Sequence, residues 1–411
     1  MEKSTRTFRR IAAHYLYTPR GFLRGGILSV DAEGRIAAVE TSDRVDSLPG
    51  VEFYSGILIP GTVNAHCHLE LSHLQGAVPA GCGLAAFARA VGMLRRSRTP
   101  QEREEAARYR IARMRAEGTV AVGDTCNGTG TFRIKRESPL YFHNFLELFG
   151  LRTTSAGPLE PLAKTCRAYG LPFSVTPHST YSLSRDVFSR TADDGRKDEA
   201  DGTFVPHSSG DTRGKGAEMS GPLSIHFMES EEERALYRGE GALWEWYREC
   251  GLPADFTGEG SPAERILRLV PRDRNLLLVH GTFATEEEIA ALQEHFGERL
   301  TWVLCPRSNA YVTGGYPPVE LLRRHGARIA LGTDSAASNG TLSMLGEMQA
   351  LKGIPLEELL GWATAGGARA LGIDDRYGSL EAGKRPGVAL LEGADLRNMR
   401  LTPASSLRRL V

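Results

Sequence analysis

Hydrophobic and polar positions along this chain follow two rhythms. Across residues 8–54, short β-like apolar runs are punctuated by turn residues, with no helix-length amphipathic pattern among them. Gly26-Ile27-Leu28-Ser29-Val30 leads into the polar Asp31-Ala32-Glu33-Gly34-Arg35 and then Ile36-Ala37-Ala38-Val39, the pattern of a β-hairpin. Further on, apolar β-prone runs alternate with helical stretches. The runs are 56–63, 119–124, 141–149, 173–176, 223–227, 275–280, 300–305 and 328–333. Residues 84–94 read as helical. Thr99-Pro100-Gln101-Glu102 is a capping box with proline at the first helical position; it opens a helix that reaches Ala116 and is closed by Gly118. Thr285 and Glu288 open another, over 285–296. Eight strands alternating with helices predict an α/β fold of the closed (β/α)8 TIM-barrel type.

The tail returns to the first rhythm. Gly378-Ser379-Leu380-Glu381-Ala382-Gly383-Lys384 is turn-rich, and Val388-Ala389-Leu390-Leu391 follows with no barrel strand left to pair with. The expected organisation is a small β-domain formed from both chain termini, 1–57 and 374–411, with the barrel over 58–373. One segment, 191–221, is rich in Asp, Gly, Ser, Lys and Arg and breaks the alternation between the fourth and fifth strands. It reads either as a solvated insertion or as a lid over the barrel mouth.

Composition narrows the function classes. At 411 residues the chain exceeds one small core. Lys+Arg and Asp+Glu both number 50, so the basic excess of a nucleic-acid binder is missing. No apolar run is long enough to span a bilayer, and residues 1–10 lack the apolar stretch of a secretory leader. The six cysteines have no CxxC spacing, which suits reduced thiols in a cytoplasmic protein.

The candidate chemistry begins in Leu58-Ile59-Pro60-Gly61-Thr62-Val63-Asn64-Ala65-His66-Cys67-His68-Leu69-Glu70. In extended backbone His66 and His68 point the same way, a pairing that can hold a divalent metal. Other strand ends add His178, His226 with Glu229, His280 and Asp334. Each has a plainer reading alone: His226 as a satisfied core histidine, Asp334 as a helix N-cap. Together they sit at the carboxyl ends of strands, where a barrel of this type carries its chemistry. Three histidines and an aspartate form a nitrogen-and-oxygen donor set suited to Zn2+ or Fe2+, and an open position for water would make the site catalytic.

These residues carry a family resemblance over nearly the whole chain. Pro60-Gly61-x-x-Asn64-x-His66-x-His68, His226-x-x-Glu229, His280, Cys305-Pro306-x-Ser308-Asn309, Gly332-Thr333-Asp334-Ser335 and the Gly378 to Lys384 tail resemble the amidohydrolase superfamily. More narrowly they resemble its mononuclear-metal branch of nucleobase, nucleoside and S-adenosylhomocysteine-type deaminases and triazine chlorohydrolases. Pro177-His178-Ser179 stands where binuclear members carry a carboxylated lysine. The run His68-Leu69-Glu70-Leu71-Ser72-His73 is similar to that of enzymes identified as aminodeoxyfutalosine deaminases. Two features depart from the pattern: Gly387-Val388 replaces an acidic-apolar pair, and the 191–221 insertion is long.

The resemblance implies a (β/α)8 barrel with a β-sandwich made of both termini, and a hydrolytic deaminase of an amino-substituted heterocycle with one divalent metal ion, zinc in first place and Fe2+ as the alternative. The metal would be held by His66, His68, His226 and Asp334, and would activate a water. Asp334 would take a proton from that water, His280 would orient the nucleophile and stabilise the oxyanion-like intermediate, and Glu229 would protonate the ring nitrogen and shuttle a proton to the departing amine. His178 and Asn309 are expected on loops facing the substrate. Arg307 reads as a partner for a substrate carboxylate or phosphate, or as a surface ion pair. Glu70 would hydrogen-bond the substrate or orient a metal ligand. The partner is a small molecule, with no nucleic acid or membrane, and the resemblance is compatible with a homo-oligomer. Two other readings stand beside this one. A cyclic amide or carbon–halogen hydrolase would share the metal site, whereas a non-enzymatic scaffold would have lost ligands.

Overall fold

The computed structural model describes residues 8–193, 221–254 and 256–411. Most of the 191–221 segment therefore lies outside the described residues; Thr191, Ala192 and Asp193 end the helix Arg185–Asp193. The strands in chain order are β1 (Arg9–Thr18), β2 (Gly21–Arg24), β3 (Gly26–Val30), β4 (Ile36–Thr41), β5 (Val51–Pro60), β6 (Thr62–His68), β7 (Thr119–Cys126), β8 (Tyr141–Leu148), β9 (Phe173–Pro177), β10 (Leu223–Phe227), β11 (Leu276–His280), β12 (Leu300–Leu304), β13 (Arg328–Leu331), β14 (Asp334–Ser335), β15 (Val388–Glu392) and β16 (Ser406–Arg409).

They form three sheets. One runs β14-β6-β7-β8-β9 and another β10-β11-β12-β13, and every pairing in both is parallel. The third, β16-β15-β5-β1-β3-β4 with β2 beside β1, draws strands from both ends of the chain. The hairpin expected at 26–39 is the antiparallel pair β3 and β4, and the tail strand β15 pairs antiparallel with β5.

The expected strand over 56–63 is not one strand. β5 carries on to Pro60 in the terminal sheet, where Leu58, Ile59 and Pro60 pair with Leu390, Ala389 and Val388. The chain then turns at Gly61 and starts the parallel strand β6 at Thr62. A side chain at Gly61 would meet Val120 at 2.3 Å and the Pro386 carbonyl at 2.7 Å, so only glycine passes between the sheets there. Residues 58–60, assigned to the barrel by their apolar pattern, belong to the terminal sheet for this reason. An apolar run cannot by itself show which of two sheets it pairs with.

Strands buried on both faces read as unbroken apolar runs, and Leu276–His280 and Leu300–Leu304 are buried throughout. Alternate positions divide between two cores. Leu276, Leu278, Leu300, Trp302, Leu304, Ile329 and Leu331 join the cluster that includes Ile289 and Leu292 of the helix Glu286–Phe296. Leu277, Val279, Val303 and Ala330 join a second with Val63, Ala65 and Ala121. Both expected capping boxes form, with Thr99 and Glu102 opening Pro100–Ala116, and Thr285 and Glu288 opening Glu286–Phe296. Among the described residues no helix is long and apolar enough to cross a membrane.

One buried ion pair anchors the chain behind the candidate site. Lys135 Nζ lies 2.5 Å from Asp124 Oδ2, and both side chains are fully buried. Burial opposes the lysine's charge, but Asp124 and Cys126 hold its pKa above the ordinary value. Asp124 Oδ1 in turn accepts Leu69 N at 2.8 Å, one residue beyond His68. Lys135→Met leaves the Asp124 carboxylate buried without its cation, and should lower unfolding free energy by about 3–5 kcal/mol, read from a urea titration. An unchanged midpoint would show that the pair contributes nothing.

Candidate active site

The cluster grows from strand ends. His66 and His68 lie on one side of β6 with ring centroids 4.8 Å apart. β10 brings His226 to 4.9 Å from the His66 ring, and its Nε2 to 3.2 Å from His68 Nε2. The short strand β14 pairs with β6, placing Asp334 opposite Cys67. Asp334 Oδ1 then stands 3.5 Å from His68 Nε2 and 3.7 Å from His66 Nε2. Two residues lock this register: Asn64 Nδ2 donates to Thr333 Oγ1 at 2.7 Å, and Thr333 N donates to Asn64 Oδ1 at 3.1 Å. Gly332 is required at the crossing, because a Cβ there would lie 2.8 Å from His66 Cβ and 3.1 Å from Cys305 Sγ.

Both ring nitrogens of His66 are buried without a hydrogen-bond partner, since 3.7 Å to Asp334 is too long for one. Burial lowers the pKa of His66, takes His68 down to about 3 and pushes His226 well below its usual value, which favours the neutral imidazole in all three. Burial works against the Asp334 charge, yet its pKa lies well below the ordinary range, and two serine hydroxyls donate to the carboxylate, which favours its ionised form. Neutral imidazoles and an ionised carboxylate are the states that metal coordination requires. The outer contacts aim them. His226 Nδ1 donates to the His178 carbonyl at 2.8 Å, which leaves the Nε2 lone pair facing the cluster. Ser308 and Ser338 hydroxyls donate to Asp334 Oδ2 at 2.5 and 2.6 Å, which leaves Oδ1 for the histidines. The orphaned His66 nitrogens and this donor set fit one divalent metal.

Glu229 and His280 face each other beside the cluster. His280 Nε2 is 3.7 Å from Glu229 Oε2, and its Nδ1 donates to Asn309 Oδ1 at 2.8 Å. The alternation of β11 would carry His280 to the side of Leu276 and Leu278. Its left-handed backbone, φ 76°, breaks that alternation, and the ring stacks 5.5 Å from His226. Asp334 (φ 53°) and Met228 (φ 45°) share this strained conformation, so three of the four positive-φ residues other than glycine among the described residues belong to the site or adjoin it. Burial raises the pKa of Glu229, favouring the protonated carboxylic acid.

The residues expected to contact substrate have other neighbours as well. Asn309, buried, accepts from His280 through Oδ1, while its Nδ2 has no partner among the described residues. His178 stacks on His226 with centroids 4.6 Å apart, so it backs a cluster histidine. Glu70 accepts Asn127 N at 3.2 Å and Gly128 N at 2.9 Å, so it orients the loop after β7 and not a histidine; burial raises its pKa to about 7. Arg307 lies along the helix Met344–Ala350 and donates to Thr341 Oγ1 at 2.6 Å, an engagement that neither sequence reading foresaw. Sequence reasoning gave no role to Ser338 or Glu147, and quoted Ser308 only as part of a motif. Glu147 Oε1 stands 3.5 Å from His226 Nδ1. A carboxylate inside the apolar run Asn144-Phe145-Leu146-Glu147-Leu148 was the signal available for it; the serines carried none, because their partner is distant in sequence.

Glu347 supports Arg307 and the loop after β14. It accepts Arg307 N at 3.1 Å and Asn339 Nδ2 at 2.6 Å, and burial pushes its pKa up to about 8. The folded chain therefore holds this proton more tightly than the unfolded one. The resulting stability is complete below the ordinary carboxylate range and is lost as pH rises towards 8. Urea midpoints should fall between pH 5 and pH 8 in the parent chain, and Glu347→Gln should flatten that slope. An equal slope in both chains would assign the dependence elsewhere.

A parallel α/β fold that brings neutral imidazoles and a carboxylate together at its strand ends defines a metal-centred hydrolase class. The chain belongs to the amidohydrolase family, whose pattern matches residues 57–407. A 5-methylthioadenosine/S-adenosylhomocysteine deaminase of Moorella thermoacetica is 34% identical over 158 residues, a match that spans 36% of this chain and 36% of that protein. The Halobacterium salinarum protein of the same name is 27% identical along 93% of this chain and 84% of its own length. Among solved structures, Helicobacter pylori aminofutalosine deaminase with methylthio-coformycin superposes with a TM-score of 0.71 at 22% identity, covering 96% of this chain and 93% of its own. An adenosine deaminase from Xanthomonas campestris with bound zinc gives 0.69 at 22% identity, covering 95% and 86%. These two likenesses show a shared fold.

Proposed function

We propose that this protein is a metal-dependent hydrolase that removes the amino group of an aminopurine nucleoside or a closely related heterocycle and releases ammonia. The observation that carries this reading is Glu229, a buried carboxyl kept towards its acid form and set beside the cluster, 3.7 Å from His280. Hydrolysis of an amide needs no acid aimed at a ring nitrogen, whereas loss of an amino group from an aromatic ring does. The deaminase names of the relatives point the same way.

His66, His68, His226 and Asp334 would hold the metal, and zinc is supported by the donor set and by the zinc in the Xanthomonas structure. When bound, that ion supplies a Lewis acid that makes water nucleophilic near neutral pH. Asp334 takes the proton from the attacking water through Oδ1, the oxygen its two serines leave free. His280, its tautomer set by Asn309, orients that water through Nε2. Glu229 gives its proton to the ring nitrogen beside the attacked carbon and then carries a proton to the departing amine. The same reading closes the two parallel sheets into a (β/α)8 barrel with the terminal sheet as a β-sandwich at its side. Two contacts between the sheets support closure: Thr333 N donates to the His66 carbonyl at 2.9 Å, and a parallel bridge joins Ser179 to His226.

The test is ammonia release by zinc-loaded protein from adenosine, 5′-methylthioadenosine, S-adenosylhomocysteine, aminofutalosine, cytosine and an aminotriazine. Release from the purine nucleosides is the expected result. Silence on all six with metal bound would overturn the deaminase reading.

A further inference from the structure

Glu229 hangs on an irregular turn, and a second buried acid grips that turn. Met228 adopts φ 45°, a left-handed conformation that L side chains other than Asn and Asp rarely take. Glu233, with no exposed surface, accepts Met228 N at 3.0 Å through Oε2 and Glu229 N at 2.6 Å through Oε1. The opposite edge of the turn is held from the loop after His280, where Gly281 N donates to the Phe227 carbonyl and Phe283 N to the Met228 carbonyl, both at 2.9 Å. The turn is thus clamped between Glu233 and the segment that follows His280, and the Glu229 to His280 separation is set across that clamp.

Local helix capping accounts for only part of the arrangement, since Glu233 also receives the backbone N–H of the cap residue Ser230. Ser230 already caps the helix Glu231–Tyr237 by accepting Glu232 N at 3.2 Å. An ordinary capping-box glutamate reaches back to the backbone N–H of the cap residue. Glu233 does this and reaches further, to the two residues before the cap, one of which is Glu229 itself.

We propose that Glu233 is a positioning residue for the deamination step, holding the Glu229 carboxyl where it can reach the substrate ring nitrogen. The inference rests on the proton-shuttle role given to Glu229 above. Glu233 touches neither the cluster histidines nor Asp334 through any of its hydrogen bonds described here, so its effect should fall on turnover and not on metal retention. A misplacement of about 1 Å at a reacting group costs on the order of 10²-fold in rate.

The experiment is a double-mutant cycle on the zinc-loaded full chain, using whichever of adenosine, 5′-methylthioadenosine, S-adenosylhomocysteine and aminofutalosine turns over fastest. Glu229→Gln, Glu233→Ala, Glu233→Gln and Glu229→Gln/Glu233→Ala are compared by kcat, KM and zinc per chain. The expected result is a kcat loss on the order of 10²-fold in Glu233→Ala, with zinc content and KM near the parent values. Glu233→Gln, which still offers an accepting oxygen, should recover part of that loss. The double variant should be no slower than Glu229→Gln alone, because there is no longer a proton donor to position. A simple structural weakening would instead multiply the two losses, and that outcome would overturn the inference. So would a Glu233→Ala kcat within about twofold of the parent, or loss of zinc from both Glu233 variants. Should Glu229→Gln itself keep parental kcat, the shuttle reading fails first and the positioning role falls with it.

Discussion

Asp334→Asn is expected to yield a folded chain that retains little metal and loses at least about 10³-fold in kcat. The reason lies in how the Asp334 carboxylate is divided. Oδ2 is saturated by the hydroxyls of Ser308 and Ser338, and Oδ1 is the oxygen 3.5 Å from His68 and 3.7 Å from His66. With its carbonyl oxygen taking over the place of Oδ2 beside the two serines, an asparagine turns its amide nitrogen towards the histidines. A nitrogen that carries two hydrogens offers no lone pair to a metal and cannot take a proton from water. The substitution removes a ligand and a base together, while the volume and the strained backbone at φ 53° stay acceptable, since Asn tolerates that conformation well. Metal content measured after gel filtration, with ammonia release on the same sample, checks it. Full metal content and parental turnover would show that Asp334 is neither.

Glu229→Gln should separate metal binding from chemistry. Zinc content is expected to match the parent, because Glu229 stands beside the cluster and not within the ligand set. Turnover should fall by roughly 10²–10⁴-fold, the usual share of a general acid or base. The glutamine keeps the size of the side chain and its place 3.7 Å from His280, but has no proton to give at any accessible pH. Since burial is the main cause of the raised Glu229 pKa, the parent rate should fall on the alkaline side as this carboxyl ionises, and the variant should lack that limb. A glutamine variant that keeps the parent rate would overturn Glu229 as proton donor and return the choice of reaction to amide hydrolysis, where no ring nitrogen needs a proton.

How much of this was legible beforehand can be judged from particular residues. His66 and His68 could be paired from spacing alone, since extended backbone repeats every second residue. His226 with Glu229, His280 and Asp334 could be placed at strand ends because each follows a short apolar run. The capping boxes at Thr99 and Thr285 were equally plain, because both partners lie within one helical turn. Gly61 was not legible as the point where the chain changes sheets, since its steric partners, Val120 and Pro386, are remote in sequence. Asn309 reads from the sequence as a substrate contact; that its Oδ1 also accepts from His280 needs the positions of both side chains.

By itself, then, the amino-acid order determined whatever depends on local periodicity and short spacing: the alternation of strands and helices, the helix starts, and the set of nitrogen and oxygen donors delivered to strand ends. Only the tertiary structure decided how those donors are used. It fixed which Asp334 oxygen is free, which His226 nitrogen carries the proton, how His280 turns against the alternation of its own strand, and that Arg307 lies along a helix beside Thr341. Each of these depends on hydrogen bonds and steric limits between residues far apart in the chain. A one-dimensional pattern holds no record of such distances, and folding creates them only when the sheets pack.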